Sequence, residues 1–67
     1  MTMTTIQFYD IESGNEAIAV IRAVKAGVGL CLSIKDDGDV EVFLSVSDCK
    51  RLAEALWNIL LSSDDEK

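Results

Sequence analysis

The apolar pattern of this chain changes period once, after Val46, and that change constrains the fold more than any other feature. From Ser47 onward Cys49, Leu52, Ala53, Leu56, Ile59 and Leu60 recur at spacings of three and four, which describes one face of a helix. Everything before Val46 reads as strand. Ile6 and Phe8 alternate with Gln7 and Tyr9 in a threonine-rich first segment, and ESGNE (12–16) follows as a loop. AIAVIRAVK and VGLCLSIK flank Ala26 and Gly27, and VEVFLSV follows the acidic stretch KDDGD. Four strands and then one helix, with no proline between them, predict a single α+β domain over 1–67. Its expected architecture is a four-stranded antiparallel meander, in ββββα order, with the C-terminal amphipathic helix on one face.

Ser47 or Asp48 is the expected helix cap, because a short oxygen-bearing side chain accepts from the unpaired amides of the first turn. The other end is acidic. Asp64, Asp65 and Glu66 stand where a helix dipole favours cations, so fraying is expected near Ser62 or Ser63, leaving 63–67 as an acidic tail.

Side-chain pairing suggests a register. A three-residue loop Asp36-Asp37-Gly38 pairs Ile34 with Val40, Leu32 with Val42 and Leu30 with Leu44, and sets Lys35 opposite Asp39. The preceding turn is left open. With Lys25-Ala26-Gly27 as the loop, Val24 meets Val28 and Val20 meets Leu32, but Arg22 falls opposite Leu30; the two-residue alternative pairs Ala23 with Leu30 and Ile21 with Leu32. The ambiguity arises because this strand is apolar on both sides. We expect Ile18, Val20, Leu30, Leu32, Ile34, Val40, Val42 and Leu44 to receive the helix. Ala17, Ala19, Ile21, Ala23, Cys31 and Phe43 then fall on the opposite face.

That second face is less polar than a solvated antiparallel sheet normally is. Trp57, Ile59 and Leu61 similarly widen the helix stripe, leaving Arg51, Glu54 and Asn58 on the wet side. Either the N-terminal strand covers these groups or a second chain does. The expectation is a homo-oligomer, a two-fold dimer being the commonest kind, with Trp57, Leu61, Ile21 and Phe43 as interface candidates.

Composition narrows function by exclusion. The chain contains no histidine, the commonest general base and zinc ligand, so most hydrolase and metalloenzyme chemistry is disfavoured and a non-enzymatic role is expected. Cys31 and Cys49 read as ordinary buried thiols. With no leader-like segment ahead of them, a cytoplasmic location is expected. Twelve acidic residues against six basic ones give a net charge of -6, a sign that repels phosphate backbones and suits a basic protein partner. No apolar run is long enough to predict a membrane span. Nor does any motif imply a cofactor: phosphate loops, nucleophile motifs and dinucleotide fingerprints are all missing.

The stretch DDGDVEV does not follow calcium-loop spacing, since Asp36 and Asp37 are adjacent, Gly38 comes early and no bidentate glutamate follows. It reads as a turn. Asp36, Asp37 and Asp39, with Asp64, Asp65 and Glu66, are also candidates for an acidic patch that imitates a nucleic-acid backbone, in the manner of an inhibitor of phage or mobile-element origin. Lys50-Arg51 is the one adjacent basic pair and is narrow for a phosphate site. In element order the chain resembles the whirly or transcriptional-coactivator type of single-stranded DNA-binding fold, a likeness that implies dimerisation and single-strand binding. The resemblance also implies a basic sheet face, from which this chain, with its net charge of -6, departs.

These observations lead to an expected non-enzymatic homodimeric accessory or regulatory factor. An acidic inhibitor of a basic site and a single-strand binder are the alternatives, the last disfavoured by charge.

Overall fold

The computed structural model describes residues 2–64. Strands β1 (Met3–Tyr9), β2 (Glu16–Val24), β3 (Gly27–Ile34) and β4 (Gly38–Ser45) form one antiparallel sheet in the order β1-β2-β3-β4, and helix α1 (Val46–Asp64) follows without a linker. The meander and the C-terminal helix therefore match the reading of the apolar period. The helix continues to Asp64, past the fraying point expected at Ser62 or Ser63. Of the expected acidic tail, Asp65, Glu66 and Lys67 lie outside the described residues.

Local chemistry explains where each element begins and ends. Between β1 and β2, Asp10 organises the loop: its Oδ2 accepts from the Ser13 amide at 2.8 Å, and its carbonyl accepts from the Gly14 amide at 2.7 Å. Gly14 takes a positive φ of 79° there. The hydrogen bonds from Ser13 hold the exposed Asp10 carboxyl below its ordinary pKa. At the start of α1, Ser45 Oγ accepts from the Asp48 amide at 3.1 Å. Ser45 is thus the cap, in place of Ser47 or Asp48, which fall inside the first turn. The strand runs straight into its own cap.

The β3–β4 register differs from the expected one, and the β2–β3 register, left open by the sequence, is neither of the two pairings considered. In β3–β4, Leu32 pairs with Val40, Leu30 with Val42 and Val28 with Leu44. This is a shift of two residues, and it makes Lys35-Asp36-Asp37 the loop. The Lys35 amide instead continues the β2 ladder by donating to the Glu16 carbonyl at 2.9 Å, and the Asp37 amide closes a tight turn on the Ile34 carbonyl at 3.0 Å. Asp36 (φ 69°) and Gly38 (φ 89°) take the left-handed conformations. Ser33, not Lys35, stands opposite Asp39. A two-residue shift leaves every side chain on its face, so apolar pairing is satisfied equally in either register.

The β2 correction has larger consequences. Val24 pairs with Gly27 around a two-residue Lys25-Ala26 turn, which brings Ile21 opposite Leu30, Ala23 opposite Val28 and Ala19 opposite Leu32. Ala17, Ala19, Ile21 and Ala23 therefore share the helix-bearing face, while Ile18 and Val20 take the other. The β1 pairing shows why. Phe8 and Ile6 lie beside Ala17 and Ala19, whose other neighbours are Ile34 and Leu32. These two rows run large, small, large, so Ala17 and Ala19 sink between bulky flanks. Strand β1 extends the sheet sideways and does not fold over either face.

Little is enclosed by this arrangement. Ala17 (4% exposed) and Ala19 (8%) are the buried apolar residues, and among the described residues no large side chain is fully buried. The chain exposes 5676 Å², whereas a folded monomer of this mass exposes about 4,200 Å². Its radius of gyration is 13.7 Å, against about 11 Å for a compact domain of this length. Overall extents are 41 × 30 × 16 Å. The elements are formed, but their apolar faces are only partly matched.

Candidate interaction surfaces

Three surfaces emerge when the registers are combined. The first is the helix-bearing face of the sheet, whose strand positions carry no charged residue. From β1 it takes Thr4, Ile6 and Phe8; β2 supplies the alanines and Ile21; β3 and β4 add Val28 to Ile34 and Val40 to Leu44 at alternate positions. Helix α1 seats on one end of this face only. Cys49, Leu52 and Ala53 approach Leu30 and Leu44, with an unfilled space of ≈ 170 Å³ left along the seam. At the opposite end the sheet is bare. A hollow of ≈ 340 Å³ there is lined by Leu32, Ile34 and Val40 together with Asp37, Gly38 and Asp39 of the adjoining turn and strand start, and Val40 is 57% exposed.

The second surface is the far half of α1. Leu56, Ile59 and Leu60 continue the stripe that packs on the sheet, yet all three are more than half exposed. With Leu52 they line an apolar hollow of ≈ 330 Å³. Trp57 (59% exposed) and Leu61 (50%) extend it round the helix. Ile21 belongs elsewhere, in the seam beneath α1 with Leu30 and Leu56. Phe43 lies on the opposite side of the sheet, facing away from the helix. The four interface candidates thus fall on three different parts of the molecule. Leu32 and Val40, expected beneath the helix, are instead exposed, and with Ile6 and Phe8, which sequence reasoning left unassigned, they form an open patch.

The third surface is the helix-free face. Here Arg22 of β2 lies opposite Gly29 of β3, which lies opposite Phe43 of β4. The missing side chain at Gly29 lets Arg22 reach across β3: its guanidinium sits 5.6 Å from the Phe43 ring centre and donates to Glu41 at 2.8 Å. A Cβ at Gly29 would come within 3.2 Å of the Phe43 ring. Both charges are about 40% exposed, so the pair fixes geometry more than it adds stability. Cys31 occupies this face, half-buried opposite Glu41, and Cys49 is half-buried under the helix on the other. Neither thiol is fully enclosed, contrary to expectation.

Charge is sorted by the two ends of the sheet. The β1–β2 and β3–β4 connections leave from the same end, which brings Asp10 and Glu12 to the end that holds Asp36, Asp37 and Asp39. Lys25 and the helix start, with Lys50 and Arg51, are at the other. Of the expected patch, the three turn aspartates share one loop region; Asp64 closes the helix, and Asp65 and Glu66 are outside the described residues. Among the described residues no three carboxylates or thiols converge as a metal set. No described helix is long and apolar enough to cross a membrane, which says nothing of strands. Comparison with known proteins returns no matching family model, curated protein or solved structure.

Proposed function

We propose that this chain is a non-enzymatic association module, a homodimeric accessory or regulatory factor that completes its own core by pairing with a second copy. The observation carrying this reading is the mismatch between formed elements and absent enclosure: 5676 Å² remains exposed, roughly 1,500 Å² more than a folded monomer of this size leaves open. A stable protein interface removes about 800 Å² from each partner. The surplus is therefore ample for one.

Seventeen large apolar side chains are among the exposed groups, which gives two copies of an acidic chain an uncharged route to contact. Like charges on both partners would oppose contact through an acidic surface; the helix-side strand positions of the sheet and the stripe Leu52, Leu56, Ile59 and Leu60 carry no charge, while Asp37 and Asp39 stand at the turn end of the sheet hollow. Sedimentation equilibrium at micromolar concentration tests the reading. The expected mass is twice 7.3 kDa; a single species of 7.3 kDa overturns it.

The segregated acidic end favours a second reading, capture of a basic partner by a nucleic-acid mimic. Asp10, Glu12, Asp36, Asp37 and Asp39 leave from one end, where Lys35 is the basic residue of the two connections. Changing Asp36, Asp37 and Asp39 to asparagine should abolish retention on immobilised polylysine without altering the circular dichroism spectrum. Retention that survives with the same salt dependence removes this reading. A single-strand-binding role, as in the whirly type, has no basic sheet face to support it.

A further inference from the structure

We infer that the second copy packs reciprocally, the far half of each α1 lying over the bare end of the other copy's sheet. This rests on the dimeric reading above and specifies its geometry.

The two open surfaces match in apolar character and in extent. The stripe that already seats Cys49 and Leu52 on Leu30 and Leu44 runs on unbroken through Leu56, Ile59 and Leu60, so one helix face presents the same chemistry along its length. The sheet repeats its own pattern: Leu32 and Val40 follow Leu30 and Val42 one row further along. Residues 56–64 of a helix extend about 13 Å, and four strands span about 14 Å. Ala17 and Ala19 floor a trough between Ile6 and Phe8 on one side and Leu32 and Ile34 on the other, and small residues at the floor let a helix approach closely.

Symmetry supplies the remaining argument. The helix starts from Ser45 at the end of β4 and, as placed, covers that end of its own sheet and leaves the other bare. A two-fold axis makes each helix–sheet contact occur twice, so a single complementary pair closes both open surfaces in both copies and leaves neither to recruit a third chain. The competing two-fold arrangement joins two sheets through β1. That edge has no charged residue along Met3–Tyr9, whereas β4 carries Asp39 and Glu41. Edge pairing, however, leaves the bare face and the far half of α1 exposed in both copies.

Cysteine cross-linking separates these arrangements. In full-length chains carrying Cys31→Ser and Cys49→Ala, one chain receives Val40→Cys and the other Leu60→Cys, and the two are unfolded, mixed and refolded before mild oxidation. Reciprocal packing predicts a heterodisulfide between positions 40 and 60 forming at least about tenfold faster than in denaturant, since held sites meet at high effective concentration. Leu32→Cys with Leu56→Cys serves as a second pair, and sedimentation of every variant before oxidation shows whether it remains dimeric. Dimeric variants in which neither pair cross-links overturn the packing, as does a Thr5→Cys homodisulfide forming in their place. Monomeric unsubstituted protein overturns the dimeric reading itself.

Discussion

Ala26 sits at a φ of 68° in the Lys25-Ala26 turn, a left-handed conformation that a Cβ makes costly. Its neighbour Gly27 is held for another reason: a Cβ there would collide with the Leu44 carbonyl across the ladder. The two small residues of this turn are therefore not interchangeable. Ala26→Gly should stabilise the protein by about 0.5–1 kcal/mol, the relief of the left-handed strain exceeding the added freedom of the unfolded chain. Urea unfolding of both proteins at equal concentration measures it, and an unchanged or lower midpoint contradicts the turn geometry. Gly29 acts at the same scale on the outer face. By carrying no side chain it allows Arg22, Phe43 and Glu41 to meet across β3, joining three strands where each residue alone would read as an isolated surface group.

At the scale of elements, the helix depends on a cap supplied by the strand before it. Ser45→Ala removes the oxygen that accepts from the Asp48 amide and should cost about 1 kcal/mol, with a loss of helical circular dichroism near the midpoint of unfolding. No loss would mean that another group satisfies that amide. Element order and type were legible because the spacing of three and four appears over Cys49 to Leu60 alone, while the segments before it are short, rich in β-branched residues and bounded by turn residues. Register was not. Apolar pairing across β3–β4 is blind to a two-residue slip, and Asp36 accepts a left-handed φ that the turn pattern reserves for Gly38. On β2, alanine and isoleucine are both apolar, so hydropathy could not tell which set faced the helix; volume could. Ile6 and Phe8 need small neighbours, and Ala17 and Ala19 are the small set. The same difference in register carries Ile21 from a candidate contact surface to the seam beneath α1. Ser45, Ser47 and Asp48 are all able caps, and only the observed end of β4 selects the first.

The whole molecule has secondary structure without a matching interior. A helix that seats half its apolar stripe and a sheet that offers half its neutral face leave two complementary deficits in one chain. For a domain of this length, enclosure decides whether the fold persists at all, because backbone ordering opposes folding at every residue. Association and folding should accordingly be one process, and the apparent stability should depend on how much protein is present. The measurement that bears most directly on this is the thermal unfolding midpoint across a thousandfold range of protein concentration. The midpoint should climb steadily with concentration as mass action favours the paired, folded form. A cooperative transition whose midpoint stays fixed over that range would show that the single chain encloses its own core, and would contradict the account.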